Sequence, residues 1–312
     1  MASGTADERG LVTQKTLGHY DRISASGAGL VLVEYSHVHP SGRSESHQLG
    51  IDSDENIAGL GHLASTIHSH GSLAGIQIVH SGGKTDLDRG DWALMGPSPI
   101  AVPTKDRTLG QPVPMSTQDI ALWIDAFAAA ARRAAKAGFD FVELHAAHGY
   151  GLNQWLSPIT NQRRDAYGGS LQKRARILFE IVDRIKTENP DLLLSVRIPG
   201  QDFLPGGLTV IEMQQISTEL ERRGVDLLNV SSGIGGWKRP SDRTGEGYLL
   251  PEARAIQSVV TIPVIGVGGI QSSAFIEQAL SERWVALTAI GRALLKAPDV
   301  WRQKLVSCTN NL

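Results

Sequence analysis

The sequence predicts an α/β fold, a TIM (β/α)8-type barrel in which the first strand is missing or replaced. Three observations predict it: seven short apolar runs rich in Val, Ile and Leu, amphipathic helical patterns between them, and the absence of a Pro/Gly/Ser-rich linker in 312 residues. Nearly continuous apolar strands that alternate with helices are typical of a parallel sheet covered on both faces. We therefore expect a single domain over residues 1–312.

The apolar runs are the predicted strands, and each is short enough to be buried in a sheet. They are AGLVLVE (28–34), LAGIQIVH (73–80), FDFVELHA (139–146), LLLSVRIP (192–199), VDLLNVSS (225–232), IPVIGVGG (262–269) and WVALTAIG (284–291). This count is one strand short of a complete barrel. The polar stretch 81–115 is expected to form an extra loop or a small hairpin.

Four segments between these runs carry helical signals, with apolar residues spaced for one helix face and, in most, a terminal Gly or basic residue. They are ENIAGLGHLASTIHSHG, DIALWIDAFAAAARRAAKAG, SLQKRARILFEIVDRIK and VIEMQQISTELERRG. Their positions between the strands give the alternation that a barrel requires.

Composition restricts the possible functions. The formal net charge is −2 and no block of Lys or Arg occurs, so neither nucleic acid nor an anionic membrane is an expected partner. The single cysteine, Cys308, excludes an internal disulfide framework, a multi-cysteine zinc site and a protein-bound iron–sulfur cluster. The N-terminus lacks a signal-peptide pattern and no apolar stretch of about 18 residues occurs, so we expect a cytoplasmic protein.

Polar residues at the carboxyl ends of barrel strands line the active-site mouth, which gives a set of candidates. The candidates are Glu34, Tyr35, Gln77, His80, His145, His148, Tyr150, Arg197, Ser231, Ser232, Gly268, Gly269, Gly291 and Arg292. His145 alone could be a satisfied core histidine, but it clusters with His148 and Tyr150. Arg197 within an apolar run needs an anionic or electron-rich partner, and a structural ion pair is the alternative.

Two glycine-containing strand ends indicate a phosphate site. The pair Gly268 and Gly269 follows the sixth predicted strand, and Gly291 with Arg292 follows the seventh. Backbone N–H groups and a helix N-terminus at these places commonly hold a phosphate in this fold. Gln77 is ambiguous, because an amide at a strand end can also cap neighbouring backbone groups.

The stretch HAAHGY, followed by LNQWLSPITNQRRDAYGGSLQKRAR, resembles the old yellow enzyme family of FMN-dependent NADH:flavin oxidoreductases and ene-reductases. The paired histidines resemble its bacterial His-x-x-His branch. VEYSHVHPSGR, GIQIVHSGGK, SVRI, SSG, GVGGI and IGRALL follow in the family's order. The resemblance covers the whole chain.

The resemblance implies catalytic roles for three residues. His145 and His148 would donate hydrogen bonds to the carbonyl or nitro group of an activated alkene, and Tyr150 would supply a proton. It also implies FMN as cofactor and NADPH or NADH as a transient hydride donor, in a ping-pong cycle without a metal. The implied flavin contacts are Met1, Ala2, Tyr35, Gln77, His145, Arg197, Gly268, Gly269, Gly291 and Arg292.

The sequence departs from this family at its beginning and at one strand end. The first strand and the capping segment are missing, as though Met1 were the methionine that follows them in relatives. We favour a start downstream of the natural one; a partner chain, a rearranged N-terminal segment or an open barrel are the alternatives. Ala2 stands at a redox-tuning position and Gly4 where a second active-site tyrosine is expected. Tyr35 replaces a small residue, so its ring either narrows the pocket or packs against the barrel rim.

Two other functions remain open: a non-redox TIM-barrel enzyme acting on a phosphorylated substrate, and a catalytically impaired family member that binds flavin poorly. The alkene and the choice between NADH and NADPH depend on loops 81–115 and 235–248. Within the second loop, Lys238, Arg239 or Arg243 could meet nicotinamide phosphates, although a solvated loop is the preferred interpretation. A homo-oligomer is compatible with the sequence.

Overall fold

The computed structural model describes residues 2–309 apart from 89, 106 and 237, with side chains described up to residue 304. Its strands are β1 (Leu30–His37), β2 (Leu73–Val79), β3 (Met95–Gly96), β4 (Val113–Pro114), β5 (Phe141–His145), β6 (Leu193–Pro199), β7 (Leu227–Ser231), β8 (Val264–Gly266) and β9 (Leu287–Thr288). Its helices are α1 (Gln14–Ser24), α2 (Asn56–His68), α3 (Thr117–Lys136), α4 (Gly151–Leu156), α5 (Leu171–Glu188), α6 (Val210–Arg222), α7 (Leu250–Gln257), α8 (Ser273–Ser281), α9 (Arg292–Lys296) and α10 (Pro298–Thr309). A 3₁₀ turn covers Pro40–Gly42.

One curled parallel sheet organises the molecule, in the order β1-β2-β5-β6-β7-β8-β9. All seven predicted strands belong to it, each paired in parallel with the next, which confirms the α/β barrel-type fold. Within the described residues the sheet is not closed, because β1 and β9 each have a single neighbour and no strand precedes β1. These two edges are where an eighth strand would lie.

The segment 81–115 forms a loop rather than a hairpin. Its strands β3 and β4 are two residues long and pair in parallel, Met95 with Val113 and Gly96 with Pro114. A hairpin needs antiparallel strands joined by a tight turn, and the connection between Gly96 and Val113 is too long for one. Of the two predicted forms, the loop is therefore the one that the described residues adopt.

The helices cover the outside of the sheet, and their ends are specified locally. Ser116 caps α3 by accepting a hydrogen bond from the backbone N–H of Asp119, whose carboxylate accepts one from the Ser116 N–H in return. The apolar face of α3 then packs against β2 and β5, where Phe127 and Ala131 are fully buried. The packing of α3 against the sheet holds β5 in place, and β5 is the strand that ends in His145.

A buried carboxylate stabilises the sheet interior below the strand ends. Glu143 on β5 is completely buried and accepts hydrogen bonds from Gln77 Nε2 (2.6 Å), Ser195 Oγ (3.0 Å) and Asn229 Nδ2 (3.0 Å). Three donors from three neighbouring strands compensate the loss of water around the charge. The cluster fixes the relative heights of β2, β5, β6 and β7.

Strand β1 contains a bulge that affects the orientation of side chains at its carboxyl end. Its register with β2 shifts between Val33 and Ser36, so that β1 carries one residue more than its partner. The backbone groups released there are satisfied, since Glu34 N–H donates to Tyr20 Oη (2.7 Å) and Gln48 Nε2 donates to the Tyr35 carbonyl (3.1 Å). Bulges of this kind redirect side chains and often lie beside active sites.

Among the described residues, no helix has both the length and the apolar content needed to cross a membrane. The same residues contain no cluster of three His, Cys, Asp or Glu side chains arranged to bind a metal ion.

Candidate active site

The structure brings the three predicted catalytic residues together at the carboxyl end of β5. His145 is the last residue of β5, and His148 and Tyr150 lie in the short loop before α4. The ring centroid of His145 is 5.0 Å from that of His148 and 4.9 Å from that of Tyr150. Both imidazoles are buried, and the three rings form one compact group at this strand end.

The loop that carries His148 is held in an unusual conformation. His148 has φ of 59°, a left-handed backbone conformation that residues other than Gly uncommonly adopt. Its N–H donates to the Ser232 carbonyl (3.1 Å), and its carbonyl accepts a hydrogen bond from the Lys84 ammonium. Contacts on both sides of the residue therefore maintain a conformation that is intrinsically unfavourable.

Burial determines the charge of the two histidines. It lowers the pKa of His145 and of His148 well below the usual range, and the nearby Arg197 guanidinium lowers both further. At neutral pH both imidazoles are therefore uncharged. Each then has one N–H to donate.

The surrounding hydrogen bonds indicate which ring nitrogen carries that proton. Nδ1 of His145 accepts from the Ala147 N–H (3.3 Å), which leaves the proton on Nε2. Nε2 of His148 lies 2.6 Å from Ser231 Oγ, and this oxygen also accepts from Arg197 Nη2 (3.4 Å). The Ser231 hydroxyl can donate to His148 Nε2 while it accepts from Arg197, and in that arrangement the His148 proton is on Nδ1.

Tyr150 and Lys84 form a second pair in the same cluster. Burial raises the pKa of Tyr150 above its usual value, so the phenol keeps its proton at neutral pH. The Lys84 ammonium lies 4.8 Å from the Tyr150 ring centroid, while burial lowers the pKa of Lys84 to about 8. A cation over the ring stabilises negative charge on the phenol oxygen when the proton leaves.

Tyr35 also lies at this cluster. Its ring is buried, with its centroid 5.4 Å from that of Tyr150 and 6.5 Å from that of His145. Its hydroxyl donates to Glu45 Oε1 at 2.6 Å. The sequence left two orientations open, a ring that narrows the pocket and a ring that packs against the barrel rim. In the structure the ring lies against Tyr150 and His145, which is the first of these.

Arg197 on β6 is positioned beside the histidines and is only partly partnered. Burial lowers the pKa of its guanidinium, and the Glu143 carboxylate acts in the opposite direction. Its Nε is buried without a hydrogen-bond partner among the described residues, and no ion pair to a carboxylate is formed there. The structural ion pair considered from the sequence is therefore not what holds Arg197. Gln77, by contrast, is tied through Nε2 to Glu143.

The glycine-containing strand ends meet on the β8–β9 side. Gly268 (φ 128°) and Gly269 (φ 70°) have backbones that favour glycine. A Cβ at Gly268 would come within 2.8 Å of the Leu249 N and 2.9 Å of the Tyr248 N. Gly291 precedes α9, and Arg292 Nη2 donates weakly to Tyr248 Oη (3.4 Å). Backbone and guanidinium donors thus gather around Tyr248.

The loop 235–248 contributes one cation to the same place. Arg239 stacks on the Tyr248 ring, with its guanidinium 4.6 Å from the centroid, and Nη2 lies 3.1 Å from where a Gly269 Cβ would stand. Arg243 instead pairs with Glu252 at 2.7 Å. The loop is largely exposed, Arg239 included, in line with the preferred interpretation of a solvated loop, whereas Arg243 is half-buried and held against the fold by its ion pair.

The N-terminal candidates are less informative. Met1 lies outside the described residues, and Ala2 is exposed. Ser3 donates to the Glu34 carboxylate through its N–H and its hydroxyl, the latter at 2.7 Å. Burial raises the pKa of Glu34, and the Ser3 hydrogen bonds oppose that rise.

Sequence reasoning missed three residues of this region: Lys84, Glu143 and Glu45. Lys84 ends the GGK that follows β2, and a cation just past a strand end was a usable signal. Glu143 is a carboxylate inside an apolar strand, which also points to a special environment. Glu45 is exposed and lies in a Ser-rich loop, so nothing in the sequence distinguishes it.

Comparison with known proteins assigns a family. The model of the NADH:flavin oxidoreductase / NADH oxidase family matches residues 1–308. An NADPH dehydrogenase of Geobacillus sp. (strain WCH70) is 40% identical over 281 residues, which are 90% of this chain and 80% of that protein. An NADH oxidase of Thermoanaerobacter brockii is 38% identical over an alignment of 312 positions that covers 97% of this chain and 47% of that protein.

Solved structures agree on the fold. A 2-naphthoyl-CoA reductase in complex with 2-naphthoyl-CoA has a TM-score of 0.88 at 24% identity, covering 99% of this chain and 49% of that one. An old yellow enzyme homologue from Zymomonas mobilis has a TM-score of 0.82 at 23% identity, covering 97% of this chain and 86% of that one. The chain spans about half the length of the Thermoanaerobacter brockii NADH oxidase and of the 2-naphthoyl-CoA reductase.

The family match and the relatives' names confirm the resemblance to the old yellow enzymes, with FMN as the family's cofactor and nicotinamide nucleotides as its coenzymes. Taken together with the parallel strands and the cluster at their carboxyl ends, they establish that the chain belongs to the NADH:flavin oxidoreductase / NADH oxidase family.

Proposed function

We propose that this chain is an FMN-dependent oxidoreductase that takes hydride from NADPH or NADH and reduces activated C=C bonds, such as those of enones and nitroalkenes, by a ping-pong mechanism. The observation that carries the proposal is the grouping of two neutral, buried imidazoles with a protonated phenol, with ring centroids about 5 Å apart. An uncharged donor pair beside a proton donor suits a reaction that first creates negative charge on oxygen and then protonates carbon.

The residues present fit FMN. Arg197 carries a buried Nε without a partner among the described residues, which suits an electron-rich ring edge. Gly268 and Gly269 have positive φ at a strand end, and the guanidinium groups of Arg239 and Arg292 both contact the neighbouring Tyr248, which suits the ribityl phosphate. When bound, FMN supplies the hydride transfer between the nicotinamide and the alkene.

His145 and His148 would polarise the substrate. Addition of hydride to the β-carbon of an enone leaves enolate charge on the carbonyl oxygen. His145 Nε2–H and His148 Nδ1–H can donate to that oxygen, since neighbouring groups already occupy the other ring nitrogens. Donors that are fixed before reaction stabilise the developing charge without reorganising.

Tyr150 would complete the reaction by giving its phenolic proton to the α-carbon. Its raised pKa keeps it protonated at neutral pH, and the Lys84 ammonium over the ring offsets the charge left on the oxygen. Solvent then restores the proton to Tyr150. This division assigns charge stabilisation to the histidines and proton transfer to the tyrosine.

The nicotinamide would use the same pocket as the alkene. The sequence has no GxGxxG fingerprint of a separate dinucleotide-binding domain, so one site would serve both half-reactions in turn. The names of the relatives, an NADPH dehydrogenase and an NADH oxidase, support a nicotinamide nucleotide as donor.

An absorbance experiment tests the proposal. The purified protein should show a flavin band at about 450 nm that anaerobic NADPH or NADH bleaches and 2-cyclohexenone restores, whereas the saturated ketone cyclohexanone should leave it bleached. A protein that binds no FMN when the cofactor is added would contradict the proposal and favour a non-redox enzyme. A band that bleaches but is not restored by any enone or nitroalkene would limit the activity to nicotinamide oxidation.

A further inference from the structure

The bulge of β1 directs the Tyr35 side chain in a way that regular strand geometry does not. The extra residue between Val33 and Ser36 interrupts the alternation of the strand, and both Glu34 and Tyr35 are buried. Tyr20 and Gln48 satisfy the polar backbone groups of this bulge at 2.7 and 3.1 Å. A bulge that is this completely hydrogen-bonded holds the Tyr35 Cα–Cβ direction firmly.

The tip of the Tyr35 side chain is held as well. Its hydroxyl donates to Glu45 Oε1 at 2.6 Å, a charge-assisted hydrogen bond in a partly buried place. The Glu45 backbone carbonyl accepts from Arg43 Nε at 3.0 Å, and Glu45 itself is exposed. The hydrogen bond at the tip of the Tyr35 side chain adds to the fixed Cα–Cβ direction in favouring the observed orientation of the ring.

The Tyr35 ring lies next to the residues that would contact the substrate. A substrate oxygen must reach His145 and His148, and its α-carbon must reach Tyr150. The Tyr35 ring is in contact distance of two of these, edge-on to His145 and tilted by 32° from the Tyr150 ring. It therefore borders the space that any substrate of this site has to enter.

We propose that Tyr35, tethered by Glu45, is a fixed wall of the active-site pocket that limits substrates to small, flat activated alkenes. This inference rests on the proposed function. The Tyr35 hydroxyl donates to the Glu45 carboxylate and also interacts with the Tyr150 hydroxyl, and we assign the effect of the residue on substrates to the bulk of its ring. An alkene with a bulky substituent on the side of β1 is excluded, while one the size of a single ring fits.

The test compares two ketones that differ only in bulk, cyclohexanone and 3-phenylcyclohexanone, bound to the oxidised FMN-loaded protein. Affinity is read from the perturbation of the flavin spectrum and, independently of the flavin, by saturation-transfer NMR. Tyr35→Ala should improve the affinity for the phenyl ketone relative to cyclohexanone by about tenfold or more, as expected when a pocket wall is removed. The ratio of kcat/KM for 5-phenyl-2-cyclohexenone and 2-cyclohexenone should shift in the same direction.

Variants of the tether sharpen the test. Glu45→Ala should shift the affinity ratio by about threefold, and Glu45→Gln should leave it near the wild-type value, since the amide oxygen still accepts the phenolic hydrogen. Tyr167→Ala is the matched control, because it removes a tyrosine–glutamate pair of the same kind, Tyr167 with Glu180 at 2.9 Å, away from the site. The control should bind both ketones as the wild type does. If Tyr35→Ala does not fold, Tyr35→Leu, which is shorter but still apolar, replaces it.

Two results would contradict the proposal that Tyr35 is a fixed wall of the pocket. One is an unchanged affinity ratio in a Tyr35→Ala or Tyr35→Leu protein that is folded and yellow. The other is FMN binding at least about tenfold tighter in Tyr35→Ala than in the wild type, which would mean that the ring competes with the cofactor. Failure of the proposed function is distinguishable, because it would appear as a wild-type flavin that enones do not reoxidise whatever the ketone affinities.

Discussion

The two sides of the strand-end face differ in what the chain places there. We call Lys84, His145, His148 and Tyr150 the substrate side, and Gly268, Gly269, Arg239 and Arg292 the phosphate side, after the roles proposed for them. On the substrate side, hydrogen bonds that Ala147, Ser231 and Ser232 form with the histidine residues orient them. On the phosphate side, open glycine backbones and guanidinium groups gather around one aromatic ring.

The two sides therefore differ in what is in place before a ligand binds. The substrate side has its donors oriented and its charges set by burial before anything binds. The phosphate side places two guanidinium groups at one aromatic ring, an arrangement that suits an anion. Arg197 lies between them, with one nitrogen shared with Ser231 and another, Nε, unpartnered among the described residues. Changes on the substrate side should thus alter turnover, and changes on the phosphate side should alter flavin affinity.

The largest expected effect is on the substrate side. His148→Ala removes one donor to the developing oxyanion and should lower kcat/KM for 2-cyclohexenone by about 10² to 10³-fold, while FMN affinity changes little. His148→Asn is the matched control, since Asn keeps an N–H donor and tolerates the left-handed backbone, and it should retain most of the activity. Steady-state kinetics and a flavin titration measure the two quantities. A His148→Ala protein that loses FMN, but turns over normally once it is saturated with FMN, would contradict the assignment of turnover to the substrate side and flavin affinity to the phosphate side.

A smaller effect is expected on the phosphate side. Gly268→Ala places a methyl group against two backbone nitrogens and should displace the donors that face the phosphate, weakening FMN binding by about 10 to 100-fold, the equivalent of one charge-assisted hydrogen bond. Gly71→Ala is the control, because Gly71 also has a positive φ of 78° but open space around it. Fluorescence titration with FMN gives both affinities. Equal losses in the two variants would attribute the effect to backbone strain alone.

The smallest effect concerns the stability of the substrate side. The pKa of Lys84 is about 8 in the folded protein against an unfolded value of about 10.5, so the unfolded chain binds more protons between these values and stability rises with pH there. Lys84→Met removes this penalty and should be more stable than the wild type by about 1 to 3 kcal/mol below pH 8. The advantage should shrink between pH 8 and 10.5.

Urea unfolding of Lys84→Met and wild type across that pH range measures the difference. Lys84→Met should also be slower in the enone half-reaction, because the cation over Tyr150 is lost. A stability difference that does not vary with pH would show that packing, and not the buried charge, accounts for it.

The sequence predicted the sheet well because each strand is a local apolar run, and the catalytic cluster because His145, His148 and Tyr150 lie within six residues of one strand end. Lys84 and Glu143 each carry a local signal, a cation just past a strand end and a carboxylate inside an apolar strand, but their partners lie far away in the sequence and could not be predicted. The direction of Tyr35 was unpredictable, since it depends on a bulge whose register is set by β2. The single domain, the individual flavin contacts and a homo-oligomer stay predictions.

The most direct test of the preorganised substrate side is the protonation of its histidines, measured by long-range ¹H–¹⁵N spectra of the flavin-free protein. We predict that His145 and His148 stay neutral as the pH passes through the usual histidine pKa of about 6.5, with the proton on Nε2 of His145 and on Nδ1 of His148. Titration of either ring near its usual value of about 6.5, or rapid averaging between tautomers, would contradict the account.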